Sequence, residues 1–139
     1  MSHDVFTYGS LMFPVVWQRV VRGRYESVPG TVHGFRRLVV RGESYPGLVA
    51  TRRSDTARGI LYLEVSDEDL DRLDRFEGPP YVRLTTPVHL DDGRLRLAQT
   101  YLATPALALE RKDWDPDRFA REGLERFLRE YCAARAETR

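Results

Sequence analysis

Residues 57–83 run Ala57-Arg58-Gly59-Ile60-Leu61-Tyr62-Leu63-Glu64-Val65-Ser66-Asp67-Glu68-Asp69-Leu70-Asp71-Arg72-Leu73-Asp74-Arg75-Phe76-Glu77-Gly78-Pro79-Pro80-Tyr81-Val82-Arg83. The first part, Ala57 to Val65, centres on Gly59-Ile60-Leu61-Tyr62-Leu63 and reads as a core strand. Ser66 is a good helix N-cap, and Asp67, Glu68 and Asp69 complement the partial positive charge of a helix start. The helix is expected to run to about Phe76, where Gly78-Pro79-Pro80 ends it. At about 100° per residue, Leu70, Leu73 and Glu77 share one face. A carboxylate therefore ends an apolar stripe. Spacing leaves two readings open: Glu77 turns toward the core, or the helix frays at Gly78 and Glu77 faces water.

The pattern continues on both sides. Tyr81 to Leu90 and Arg94 to Leu102 read as strands joined by the hairpin signal Asp91-Asp92-Gly93. Upstream, Val5-Phe6-Thr7-Tyr8 reads as a short strand stopping at Gly9, and Leu11 to Val21 as a helix with Pro14 in its first turn. Thr31 to Val40 reads as one strand, Ser44-Tyr45-Pro46-Gly47 as a turn, and Leu48-Val49-Ala50 as a short strand. Pro116 to Ala133 forms an amphipathic pattern with Phe119, Gly123 or Leu124, Phe127, Leu128 and Tyr131 on one side. No repeat, low-complexity tract or linker interrupts the chain. The order predicts an α+β fold with a largely antiparallel sheet, with closure into a barrel as one form of it. One domain is expected over residues 1–139, with a core over about 4–104 and a C-terminal helical extension over about 105–139.

Composition narrows the function classes. The 22 basic and 21 acidic residues leave a net charge of +1, without the basic excess that nucleic-acid or membrane binding usually needs. Lys112 is the only lysine, so the cations are almost all arginine. This reads as genomic composition bias ahead of an arginine-based RNA surface. The single cysteine, Cys132, cannot form an internal disulfide and falls in a helical pattern, as a packing residue. The start, Met1-Ser2-His3-Asp4, has neither a basic region nor an apolar run, so no signal peptide is expected. No stretch reaches transmembrane length. The expectation is a soluble protein of a reduced, cytoplasmic compartment.

Three features could carry chemistry. Glu77 is one, because burial raises a carboxylate's pKa toward the range of general acid–base work. Tyr8-Gly9-Ser10-Leu11 is the second: a strand end, a glycine turn and a helix start, whose first N–H groups lack internal partners. An ordinary strand–helix turn accounts for these residues equally. The third is Tyr81-Val82-Arg83, where Tyr81 and Arg83 project to one side of a regular strand. Tyr81 could hold a ligand or orient Glu77, and Arg83 could pair with an acid or lie on a solvated face. His3, His33 and His89 have no metal-ligand spacing, no Walker or Rossmann glycine loop is present, and Ser10 lacks evident triad partners.

Together these residues resemble the gamma-glutamylcyclotransferase-like family. The resemblance rests on Val5-Phe6-Thr7-Tyr8-Gly9-Ser10-Leu11, Pro29-Gly30-Thr31-Val32-His33-Gly34-Phe35, Tyr45-Pro46-Gly47 and Thr56-Ala57-Arg58-Gly59-Ile60-Leu61-Tyr62. It closes with Leu70-Asp71-Arg72-Leu73-Asp74-Arg75-Phe76-Glu77-Gly78 and Tyr81-Val82-Arg83, in the family's order. The helix after Trp114 looks like the extension of the avirulence-induced branch. The resemblance implies a small mixed β-barrel with flanking helices and no cofactor or metal. It implies intramolecular cyclisation of a γ-glutamyl amine or γ-glutamyl amino acid to 5-oxoproline, with release of the amine. Glu77 would be the catalytic proton carrier. Tyr8, Gly9, Ser10 and Leu11 would form the substrate loop, with Met12 and Phe13 continuing it, and their N–H groups would bind the substrate carboxylate or an oxyanion. Tyr81 and Tyr101 would form the pocket wall. The expected partner is a small γ-glutamyl molecule, with no nucleic acid and no membrane. A non-catalytic ligand- or partner-binding module on the same fold is the alternative, since fold alone does not fix activity. Arginine-mediated nucleic-acid binding is a further reading, against which the balanced charge argues.

Overall fold

A computed structural model describes residues 1–132. Eight strands are present among them: β1 (Ser2–Thr7), β2 (Ser27–His33), β3 (Phe35–Val40), β4 (Pro46–Ala50), β5 (Thr56–Ser66), β6 (Tyr81–Leu90), β7 (Leu95–Ala103) and β8 (Leu109–Asp113). Five of them close a barrel in the order β1-β5-β2-β6-β7, and the other three form a sheet ordered β4-β3-β8. Every pairing is antiparallel except the closing contact of β1 with β7, where Val5 lies opposite Gln99. Helix α1 (Pro14–Val20) follows β1 after a short 3-10 turn (Ser10–Met12), and α2 (Asp67–Glu77) follows β5 directly. Residues 116–132 are helical, α-wound in Pro116–Arg118 and Leu124–Phe127 and π-wound in Phe119–Gly123 and Leu128–Cys132. The expected α+β fold with a barrel-closed, antiparallel sheet is the observed one.

Burial explains why β1 and β5 lack polar alternation. Phe6 and Leu61 point into the barrel with Val32, Val88 and Ala98. Their neighbours Val5 and Tyr62 point outward, against α1, α2 and the C-terminal helical segment. A strand covered on both faces reads as a continuous apolar run. Helix α2 starts as expected, the Ser66 hydroxyl accepting from the Asp69 N–H at 3.2 Å, and stops at Gly78 with φ +75°. Its Leu70, Leu73 and Phe76 are buried.

Several expectations are corrected. Thr31–Val40 is two strands in two sheets, because Gly34, at φ +85°, turns the chain between them. Leu11–Val21 is a 3-10 turn and a helix separated at Phe13, whose extended backbone (φ −85°, ψ 121°) is the conformation favoured before Pro14. Pro46 and Gly47 belong to β4 as well as to the expected turn. Strand β8 was not expected: its Glu110, Arg111, Lys112 and Asp113 carry no apolar alternation, and it is held as an edge by pairing with β3. The expected C-terminal helix is present to Cys132; its last residue, Ala133, lies outside the described residues, as does the end of the expected extension. Phe119, Gly123, Phe127 and Cys132 are its buried residues, a spacing of four to five that suits π winding. Among the described residues no helix is long and apolar enough to cross a membrane.

Candidate functional site

The ends of several elements meet at one cleft. Its lining includes Tyr8, Gly9, Ser10 and Leu11 from the β1 exit, Phe76 and Glu77 from the end of α2, and Tyr81 and Tyr101 from the β6–β7 pair. Tyr45 and Pro46 line it from the β3–β4 corner, and Phe127 and Tyr131 from the C-terminal helical segment. The cleft is narrow, with about 400 Å3 of unfilled space including its mouth. A second, wider groove shares Tyr45, Phe127 and Tyr131 with it but holds none of the expected site residues.

Of the two readings of Glu77, the structure takes the core-facing one. The residue is half-buried on the cleft wall, directly after the buried Phe76. Its charge reaches three phenols. Burial first, and the Glu77 carboxylate with it, pushes Tyr8 far above the ordinary tyrosine range. Tyr81 is pushed up by burial first and by Tyr8 and Glu77 after it. Tyr101 is pushed up by burial, by its hydrogen bond to Asp74, and by the charges of Asp74 and Glu77. All three stay neutral, and their hydroxyl protons are committed. Tyr8 donates to the Tyr101 carbonyl at 2.7 Å, Tyr81 to the Pro46 carbonyl at 2.9 Å and Tyr101 to Asp74 at 2.6 Å. A phenol donating its proton elsewhere keeps only acceptor capacity. The tyrosines thus suit a cation or an N–H group better than an anion.

Donors come from the loop. Met12 N–H bonds the Gly9 carbonyl at 3.0 Å, and Phe13 N–H bonds the Ser10 carbonyl at 3.1 Å. Those two amides are spent on the turn, and Met12 and Phe13 instead pack partly buried against the apolar core. The expectation that the donor loop extends to them is corrected. Among the described residues, the Gly9, Ser10 and Leu11 amides have no such backbone acceptor. Their availability comes from a turn of 3 residues, not from the start of a long helix. Gly9 is required by close approach, since a Cβ there would lie 2.8 Å from Pro46 Cγ.

Arg83 does pair with an acid. Its Nε donates to Asp74 at 3.0 Å and its Nη1 to Gln99 at 2.8 Å, and it is not part of the cleft lining. Asp74 therefore ties together Tyr101, Arg83 and the last turn of α2. Sequence reasoning missed Tyr45, Pro46, Phe76, Phe127 and Tyr131 as cleft residues. Phe127 and Tyr131, four apart on an apolar helix face, carried a packing signal but no direction. Among the described residues no group of three or more His, Cys, Asp or Glu side chains could hold a metal ion. His33 and His89 lie against each other with tilted rings, 4.2 Å between centroids, His3 pairs with Asp67, and Cys132 is buried.

The barrel, the glycine turn and a half-buried glutamate at a helix end define the class in which this chain falls, and comparison places it within that class. Residues 5–116 match the family described as gamma-glutamyl cyclotransferase, AIG2-like, and the chain belongs to that family. It is 33% identical over 102 residues to protein AIG2 C of Arabidopsis thaliana, covering 73% of this chain and 61% of that relative's length. A solution structure of an Arabidopsis thaliana protein superposes with a TM-score of 0.71 at 27% identity, covering 96% of this chain and 82% of the other. A solved gamma-glutamyl cyclotransferase superposes with a TM-score of 0.65 at 18% identity, covering 79% of this chain and 69% of the other, which is a likeness of fold.

Proposed function

We propose that the protein is a gamma-glutamyl cyclotransferase acting on a γ-glutamyl amine or γ-glutamyl amino acid. One observation carries this reading: a half-buried carboxylate, Glu77, shares a narrow cleft with the amides of Gly9, Ser10 and Leu11. Family membership supports the reaction type.

In this reading the substrate attacks itself. Glu77 takes a proton from the α-ammonium, and the freed amine adds to the γ-carbonyl carbon, forming the new C–N bond. The carbonyl oxygen becomes an oxyanion, and loop amides stabilise it or hold the α-carboxylate. The old amide C–N bond then breaks. Glu77 returns its proton to the leaving nitrogen, relays the second α-nitrogen proton in the same way, and 5-oxoproline and the amine, as its ammonium, depart. The two protons lost by the α-ammonium equal the two gained by the leaving nitrogen, so no water is consumed. The acceptor-only oxygens of Tyr81 and Tyr101 suit the ammonium end of the substrate. Because nucleophile and carbonyl belong to one molecule, positioning supplies much of the rate, and one base with a few donors suffices.

The test is 5-oxoproline release from a panel of γ-glutamyl amines and γ-glutamyl amino acids. Wild-type turnover is expected on at least one, and Glu77→Gln should lower kcat by about 10²–10⁴-fold with an unchanged fold. Thermal stabilisation by the panel without product would replace the enzyme reading with that of a binding module. Full activity of Glu77→Gln would refute the proton-carrier role.

A further inference from the structure

The donor turn begins where a β ladder ends. Thr7, opposite Ile60, is the last residue of β1 paired with β5. The chain approaches β5 so closely there that a Cβ on Gly59 would collide with the Thr7 carbonyl, and the Thr7 hydroxyl adds a bond of 2.8 Å to the Ile60 carbonyl. Past this rung, the Tyr8 and Arg58 carbonyls have left the β1–β5 ladder; Arg58 is exposed, but Tyr8 is buried, and a buried carbonyl needs a partner.

One nitrogen takes both. Arg37 Nη1 donates to the Tyr8 carbonyl at 3.0 Å and to the Arg58 carbonyl at 2.8 Å. The same nitrogen lies 3.9 Å from Met12 Sδ, so it touches both the chain leading into the Ser10–Met12 turn and the turn's last residue. Arg37 comes from β3, in the other sheet, where it pairs with Leu48. It is held in turn by Trp114, whose ring centre lies 5.5 Å from the guanidinium carbon and whose N–H donates to the Arg37 carbonyl at 3.1 Å. Trp114 Nε1 is fixed to the Ser44 carbonyl at 2.7 Å. The guanidinium is half-buried, stays charged at any working pH, and bonds a neutral carbonyl more strongly than an uncharged donor would.

We propose that Arg37 is a positioning residue for the cleft: by fixing the Tyr8 carbonyl it sets the Tyr8–Gly9 peptide, and with it the aim of the Gly9, Ser10 and Leu11 amides. Its effect on turnover rests on the cyclotransferase reading; its effect on the turn does not. A simple brace between sheets would lower stability everywhere and leave the chemistry of the folded protein alone. A positioning residue loosens the turn selectively and lowers kcat more than it raises KM.

The experiment uses Arg37→Met and Arg37→Lys in the full chain. Amide hydrogen exchange is read at Met12 and Phe13, whose N–H groups close the turn, against amides of the β6–β7 pair. Arg37→Met is expected to speed exchange at Met12 and Phe13 about tenfold while the β6–β7 amides change less than about twofold. With a γ-glutamyl substrate from the panel, kcat should fall about 10–100-fold with KM within about threefold, and Arg37→Lys should restore part of both effects. Unchanged exchange at Met12 and Phe13, or an equal rise in all segments, overturns the proposal, as does kcat at the wild-type level in a folded Arg37→Met protein. Should Arg37→Met fail to fold, the Arg37→Lys exchange ratio decides by the same criterion. A wild type without turnover defeats the cyclotransferase reading but leaves the exchange result to judge Arg37.

Discussion

Replacing Gly9 by alanine tests the site at its tightest point. The new Cβ would lie 2.8 Å from Pro46 Cγ and 2.9 Å from Pro46 Cδ. Ordinary contact begins near 3.4 Å, so the shortfall at Cγ is about 0.6 Å. Pro46 cannot yield: its ring has no rotamer to swing away, it is buried, it pairs with Val39 in β3, and its carbonyl holds the Tyr81 hydroxyl. The turn must move instead, and the Gly9, Ser10 and Leu11 amides move with it. A misplacement near 1 Å costs about 10²-fold in rate, so Gly9→Ala should lower kcat/KM by about 10–100-fold. Overpacking of this kind costs about 1–3 kcal/mol of stability.

A second substitution makes the prediction specific. Pro46→Ala removes Cγ and Cδ but keeps the carbonyl that Tyr81 uses. The double variant Gly9→Ala/Pro46→Ala should therefore recover most of the activity lost in Gly9→Ala. The assay is kcat/KM for 5-oxoproline release by all four proteins, with thermal unfolding of each. A coupling of about 1.4 kcal/mol or more, a tenfold interaction, is expected. Multiplicative losses, or a Gly9→Ala variant within twofold of wild type, would refute the argument that Pro46 sets the turn. Without wild-type turnover, the same cycle is read in the unfolding free energies.

Asp69 is almost fully buried and accepts from the Arg22 and Gly23 amides, the Tyr25 hydroxyl and Arg72. Burial alone would push its pKa up, but the bonds from Tyr25, the two amides and Arg72 override it and hold the carboxyl at about 2, against 3.8 for a free aspartate. That difference is worth about 2 kcal/mol, present above pH 4 and lost as pH falls toward 2. Urea unfolding at pH 7 should place Asp69→Asn about 3 kcal/mol below wild type, and the gap should shrink at pH 3; parallel behaviour at both pH values would contradict the network. Gly59→Ala puts a methyl group into the Thr7 carbonyl and 2.7 Å from the Phe6 ring, so no folded protein should be recovered by size exclusion and circular dichroism, and a near-normal melting curve would disprove the close approach of β1 to β5. Phe127→Ala removes a ring that is 4% exposed and lines the cleft, so it should cost about 3–5 kcal/mol by denaturant titration and raise KM; an unchanged KM would separate Phe127 from substrate binding.

What the sequence discloses depends on how far apart the deciding residues lie. The β5–α2 junction was legible because a cap, a 3.6-residue period and a glycine stop fall within a dozen neighbours, and the β6–β7 hairpin for the same reason. The division of Thr31–Val40 was hidden because both halves are β-rich and one glycine makes the turn. Strand β8 was hidden because backbone pairing, not side-chain pattern, holds it. The cleft obeys the same rule. Glu77 and the Tyr8-Gly9-Ser10-Leu11 turn stood out as local motifs. Spacing could not choose between a buried and a frayed Glu77, because the choice is made by what else packs around the α2 end, including Phe127 and Tyr131 from fifty residues away. Arg36 and Arg37 show the limit most directly. Read as composition, they are two more arginines in an arginine-rich chain. Strand alternation sends adjacent side chains to opposite faces. Arg36 goes out to Asp113, and Arg37 goes in to the Tyr8 carbonyl. Only the register of β3 on its neighbours decides which of the two reaches the Tyr8 carbonyl, so a residue that governs the donor turn carries no mark of it in the sequence.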